Sequence, residues 1–228
     1  MGTAEDVLEL METLRRGDAQ ARMQAEIALI KIVELKGSRT VVPLVIALKT
    51  ANDYGRWRSA EFLGLIGDAR ALEPLAKVLD DNDPFVKFKA AQALSRLGDA
   101  RAVEPLIKAL TSSQEDVRGG AAEALGWLGD RRALTPLIEA LRDKSYFVRQ
   151  EAAGALGKLG DGEAVKPLAK ALKKDNHENV RRNAAEALGK LGDTGALEPL
   201  ERALKKDKDG AVRESAEGAL EKIKAKAG

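Results

Sequence analysis

The side chain best suited to chemistry in this sequence is His177, the sole histidine, which is followed directly by Glu178. An imidazole beside a carboxylate can relay a proton or begin a metal site. Either use needs further groups, and there is no cysteine and no second histidine to provide them. A transition-metal site would have to be completed by carboxylates, an unusual donor set. A serine nucleophile would depend on this one imidazole. Ser59, Ser95, Ser112, Ser113, Ser145 and Ser215 belong to no nucleophile-elbow motif, and the glycines form neither a dinucleotide nor a nucleotide phosphate loop. The expectation is an exposed, non-catalytic His177, with no metal, no cofactor and no enzymatic activity.

What positions these residues is a repeat. The stretch V-R-G-G-A-A-E-A-L-G-W-L-G-D-R-R-A-L-T-P, from Val117 to Pro136, returns in skeleton 31 residues upstream (Val86 to Pro105) and 31 downstream (Val148 to Pro167). A fixed period of this length marks a repeat array. The prolines at 43, 74, 105, 136, 167 and 199 keep that spacing, with one extra residue in the Lys174 to Glu178 turn. Each falls near a helix start, where the missing N–H has no intrahelical partner to lose. A second helix comes next in each unit, with Val86, Ala90, Ala93, Leu94 and Leu97 gathered on one face. It ends in Gly-Asp, glycine for a left-handed terminus and aspartate to cap the next helix. Gly64, Gly126, Gly157 and Gly189, with Ser95 in the same slot, would each weaken an isolated helix by up to about 1 kcal/mol. Their recurrence predicts that backbones pack closely there.

The first repeat is atypical. Thr3 and Asp6 resemble a capping box ahead of Val7, Leu10, Met11 and Leu14. Gly17 and Asp18 then separate a second helix from about Ala19 to Leu35, with Ala21, Ala25, Ala28, Leu29 and Ile32 as its buried stripe and an extra turn at Val33 to Lys36. End repeats diverge because one face meets water. We expect one array over 1–228: a divergent N-terminal cap (1–37), regular repeats (38–192), and a C-terminal repeat and cap (193–228).

Helix pairs carrying G-D-x-x-A-[LV]-x-P-L and V-R-x-x-A-A-x-A-L-G resemble the short HEAT-like repeats of the family named after phycobilisome lyases, over nearly the whole chain. The resemblance implies an all-α fold, a right-handed α-α superhelix of about seven antiparallel pairs with second helices on the concave side. It also implies use as a protein-binding scaffold or as a bilin lyase subunit. The His177-Glu178 pair is similar to those of the deoxyhypusine hydroxylase family of HEAT-like iron enzymes, which need several such pairs from different repeats; here there is one.

Positions that the repeat leaves free carry the functional signal. All eight aromatic residues fall in second helices between 54 and 147. Phe62 replaces a core alanine and is packing. Tyr54, Trp57, Phe85, Phe88, Trp127, Tyr146 and Phe147 occupy variable slots, with Gln92, Glu123 and Gln150 among them. Gly119 and Gly120 leave their slot bare, so the expected site is an aromatic groove over the second to fifth repeats with a hollow at those two glycines. Exposed aromatics of this kind anchor partners. For Phe85, Tyr146 and Phe147 a competing reading is that they wedge between repeats as core.

One base per repeat, Arg22, Arg56, Lys87, Arg118, Arg149, Arg181 and Arg213, forms a ladder opposite turn aspartates Asp83, Asp116, Asp143, Asp175 and Asp209. It reads as inter-repeat pairing rather than a phosphate track. Lysines from Lys205 to Lys226 read as a solvated last helix. Net charge is +2, and residues 1–114 carry 16 basic and 16 acidic side chains, a balance that argues against a nucleic-acid partner. No apolar run approaches a membrane span and no signal-peptide pattern opens the chain. The expectation is a cytoplasmic monomer that binds a protein partner, the alternative being a subunit that handles a tetrapyrrole or its carrier.

Overall fold

The computed structural model describes residues 4–227, so Thr3 of the expected capping box lies outside the described residues. Two compact units divide the chain, Met1–Pro105 and Leu106–Gly228. Among the described residues there are fourteen α-helices, six short 3-10 helices and no strand. The first unit contains α1 (Ala4–Arg16), α2 (Ala19–Lys36), α3 (Val41–Thr50), α4 (Asp53–Ile66), α5 (Leu72–Val78) and α6 (Pro84–Leu97), and the boundary falls inside α7 (Val103–Ala109). The second continues with α8 (Glu115–Leu128), α9 (Leu134–Ala140), α10 (Tyr146–Leu159), α11 (Val165–Lys174), α12 (Glu178–Leu191), α13 (Leu197–Lys206) and α14 (Gly210–Ala227). Within each unit the helix pairs stack as in an α-solenoid.

The Gly-Asp pairs build each junction in two steps. Gly129 takes the left-handed conformation (φ 66°) that ends α8, and Asp130 then accepts the N–H of Arg132. That aspartate caps a 3-10 turn, Arg131–Ala133, which runs on into α9. The expected cap therefore acts one short element before the helix it was meant for. The repeat proline sits third in its helix, as in Leu72-Glu73-Pro74. There it still belongs to the first turn, where no backbone bond is lost.

Alanines and leucines make the core of the second helices: Ala90, Ala93 and Leu94 in α6, and Ala121, Ala124 and Leu125 in α8, are buried. The recurring glycine slot faces an alanine of the next second helix. A Cβ at Gly64 would stand 2.8 Å from the Ala93 Cα, and one at Gly157 or Gly189 equally close to Ala187 or Ala219. Any side chain would hold the helices apart. In α2, which at 18 residues carries the expected extra turn, Ala25 and Leu29 are buried while Ala21, Ala28 and Ile32 are half-buried.

Four members of the basic ladder, Arg56, Arg118, Arg149 and Arg181, pair across repeats, with a shift in partners. Both ends of the Asp143 carboxylate take a nitrogen of Arg118 (2.7 and 2.8 Å), and Arg118 also donates to the carbonyls of Ser112 and Ser113 in its own turn. Arg149–Asp175 and Arg181–Asp207 repeat the arrangement. Arg56 pairs with Asp81, not Asp83, because Asp83 is engaged as the cap that accepts from Val86. Asp209 is likewise a cap, for Val212, and Arg213 donates instead to the Asp207 carbonyl. Asp116 lies in the first turn of α8. The C-terminal lysines are exposed but span two helices, since Lys205 and Lys206 close α13.

Candidate functional site

In the first unit the expected aromatic residues form one connected row. Tyr54 meets Trp57 edge to face (centroids 5.0 Å apart), Trp57 meets Phe85 in the same way (5.3 Å), and Phe85 stacks on Phe88 (6.4 Å). Tyr54 and Trp57 are three apart on α4, Phe85 and Phe88 three apart on α6, so helical spacing puts each pair on one face. Phe62, the aromatic assigned to packing, is buried as expected. Phe85 is 48% exposed, and so is not the core wedge of the competing reading. Tyr54, Trp57, Phe88 and Gln92 are half-buried.

A charged row runs beside the aromatic one, and the sequence reading missed most of it. Glu26 of α2 pairs with Arg58 of α4, Arg58 with Glu61, and Glu61 with Lys89 of α6 (3.4 Å). Tyr54 donates to Glu26 (3.1 Å), which ties the two rows together. Arg58 and Lys89 both lie over the Trp57 ring. Burial, followed by the negative charge of Glu26, pushes the Tyr54 hydroxyl above its ordinary pKa. The available signal was the i, i+3 pair Arg58-Glu61 next to an aromatic.

The second unit corrects the expected hollow. Gly119 and Gly120 are buried, and a Cβ at Gly119 would lie 2.3 Å from the Phe147 ring. Phe147 fills from α10 the space that Gly119 leaves on α8. Phe147 is half-buried and so wedges between two repeats, as the competing reading has it, whereas Tyr146 is 46% exposed and is not core. Trp127 is 64% exposed, with the Lys158 ammonium 3.7 Å from its ring centroid, a cation-π arrangement. Burial lowers the Lys158 pKa; burial and then the Glu123 charge raise that of Glu151. Gln150 donates to Glu151 and accepts from Asn183 of α12.

His177 differs from the freely exposed residue expected. Its ring lies flat on Tyr146 (centroids 3.8 Å apart, planes within 1°), and Nδ1 accepts the N–H of Asn179, capping α12. The imidazole is held by structural bonds. No cluster of three or more His, Cys, Asp or Glu side chains is placed to hold a metal among the described residues.

A family model of HEAT repeats matches residues 41–118, 90–153, 103–178 and 135–221, together well over half the chain. The chain belongs to the HEAT-repeat family. None of the curated proteins compared matches it. Among solved structures, it is similar to an engineered protein at 28% identity and a TM-score of 0.60, over 81% of this chain and 96% of that one. A designed armadillo repeat protein is similar at 26% identity and 0.56, over 79% and 98%. The complex of CpcE and CpcF of phycocyanin lyase from Nostoc matches at 24% and 0.56, over 94% and 93%, a likeness of fold alone.

Proposed function

We propose that this chain is a non-catalytic protein-interaction scaffold that holds its partner against the face of its second helices, the concave side by resemblance. The observation that carries this reading is the Tyr54–Trp57–Phe85–Phe88 row. Aromatic rings bury large areas on binding for little rotamer entropy. Neighbouring rings and the Glu26–Arg58–Glu61–Lys89 chain already fix this row, so little ordering is left to oppose association. Trp127, with most of its surface exposed, offers the same chemistry in the second unit.

The test is affinity capture with the purified chain as bait, repeated with Trp57→Ala/Phe88→Ala/Trp127→Ala. Loss of the captured partner with unchanged circular dichroism supports the face. Equal capture by both proteins removes it. The bilin-handling alternative placed its ligand in a hollow beside Gly119, and Phe147 occupies that space. Added phycocyanobilin should therefore leave the visible absorbance of the pigment unshifted.

A further inference from the structure

The first helices of the second unit carry another surface, separate from the aromatic face. A groove of about 550 Å³ lies between α11 and α13, and one of about 360 Å³ between α9 and α11. Apolar atoms line both, from Leu172, Pro199 and Ala203 in the first and from Ile138, Leu141 and Pro167 in the second. The helix between them, α11, presents Lys166, Lys170, Lys173 and Lys174, all exposed. Their spacings of four, three and one place them on one side of the helix.

Nothing in the fold neutralises these lysines. Among the described residues none of the four makes an ion pair or side-chain hydrogen bond. Asp175 and Asp207 border the grooves, but Arg149 and Arg181 take both oxygens of each. Glu198 is the other acid lining the larger groove, which Arg202 and Lys206 also border. A helix favours cations in its last turn, which accounts for Lys173 and Lys174. It disfavours one in its first turn, where α11 has Lys166 while α5 and α13 have Glu73 and Glu198. In α5, Glu73 pairs with Lys77 one turn on (3.4 Å); in α11 the same two positions hold Lys166 and Lys170, a repulsive combination.

We propose that this surface docks an acidic polypeptide segment with spaced apolar side chains. Its apolar groups lie in the two grooves and its carboxylates on the lysines of α11. Nucleic acid fits less well. Single strands bind by stacking bases on aromatic rings, and no first helix has one; the apolar groove floors would also go unused.

Fluorescence anisotropy with the full chain tests this. The probe is a fluorescein-labelled peptide of glutamates with leucine at every third or fourth position. Saturable binding that weakens with salt is expected, with Lys166→Glu/Lys170→Glu weakening it about tenfold or more. Lys222→Glu/Lys224→Glu on α14 changes net charge equally and should leave binding within about twofold, because surface charges beyond a Debye length are screened. Replacing the leucines with serine should cost as much as the α11 variant. Trp57→Ala/Phe88→Ala should bind the probe normally, which separates this surface from the aromatic face. The proposal is overturned by absent binding, by equal loss in the α14 variant, by indifference to the leucines, or by tighter α11-dependent binding of single-stranded DNA.

Discussion

A Cβ placed on Gly126 would lie 2.5 Å from the Cα of Ala155, on the backbone of the neighbouring second helix. No rotamer change can relieve that overlap. Gly126→Val should therefore destabilise the protein by about 2 kcal/mol or more, although valine forms helix better than glycine. Gly154→Ala should do the opposite, stabilising by about 0.5–1 kcal/mol, since its Cβ would meet only the Asn183 amide at an ordinary 3.7 Å. Urea midpoints measure both, and like signs would contradict the packing described.

Gly119 and Phe147 should behave as one packing unit. Gly119→Ala alone must push the Phe147 ring aside, whereas in Phe147→Ala the added methyl has room. The double-mutant cycle should give a coupling of about 1 kcal/mol or more. Additive effects in thermal unfolding would show that the ring does not occupy this slot.

Arg118 is nearly buried and bonded to two consecutive turns. Arg118→Ala leaves the Asp143 carboxylate without its counter-ion and should cost about 3 kcal/mol. Arg118→Lys should recover only part of this, because a single ammonium cannot reproduce the planar fork. By contrast Arg70, exposed and paired with Asp68 two residues away, should tolerate alanine with little change in denaturation midpoint.

Acid should unfold the array through its aspartates. Bonds from the Arg101 and Arg132 guanidiniums, then from backbone N–H groups, lower Asp99 and Asp130 from 3.8 to about 2. For Asp143, Asp175 and Asp207 burial pushes upward, but bonds from Arg118, Arg149 and Arg181 and from backbone N–H groups outweigh it, leaving each below its ordinary value. A carboxylate lowered on folding adds stability that is complete above its unfolded pKa and disappears as pH falls through its folded one. Stability should hold near neutrality and decline from about pH 4 towards pH 2. Carboxyl NMR titration should place Asp99 near 2 in the wild type and closer to 3.8 in Arg101→Ala; an unshifted wild-type Asp99 would contradict the bond geometry.

Much of the fold was legible in the sequence because its rules are local. Proline in a first turn, glycine at a left-handed helix end and alanine opposite glycine are each set by backbone sterics, and they recur at one period. The site was harder. Bare glycine at 119 reads as empty space in a linear sequence, yet Phe147, 28 residues on, fills it. Asp81 and Asp83 are two residues apart, and turn geometry alone decides which caps and which pairs with Arg56. His177 gave no sign of its stacking on Tyr146, 31 residues upstream, because that contact exists only once two repeats are side by side.

The arginine–aspartate pairs also bear on how such a chain can change length. Arg118 reaches Asp143, Arg149 reaches Asp175 and Arg181 reaches Asp207, each 25 or 26 residues ahead. Along this stretch each copy thus supplies the donor for its successor and, from Asp143 onward, the acceptor for its predecessor. Excising one period between equivalent points of α8 and α10 would set Arg118 against Asp175, so donor and acceptor would still match at the seam. The array between Arg118 and Asp207 is in this sense modular in its charges: a change of length by a whole period there strands no buried charge, and the exposed helix faces are free to differ copy by copy.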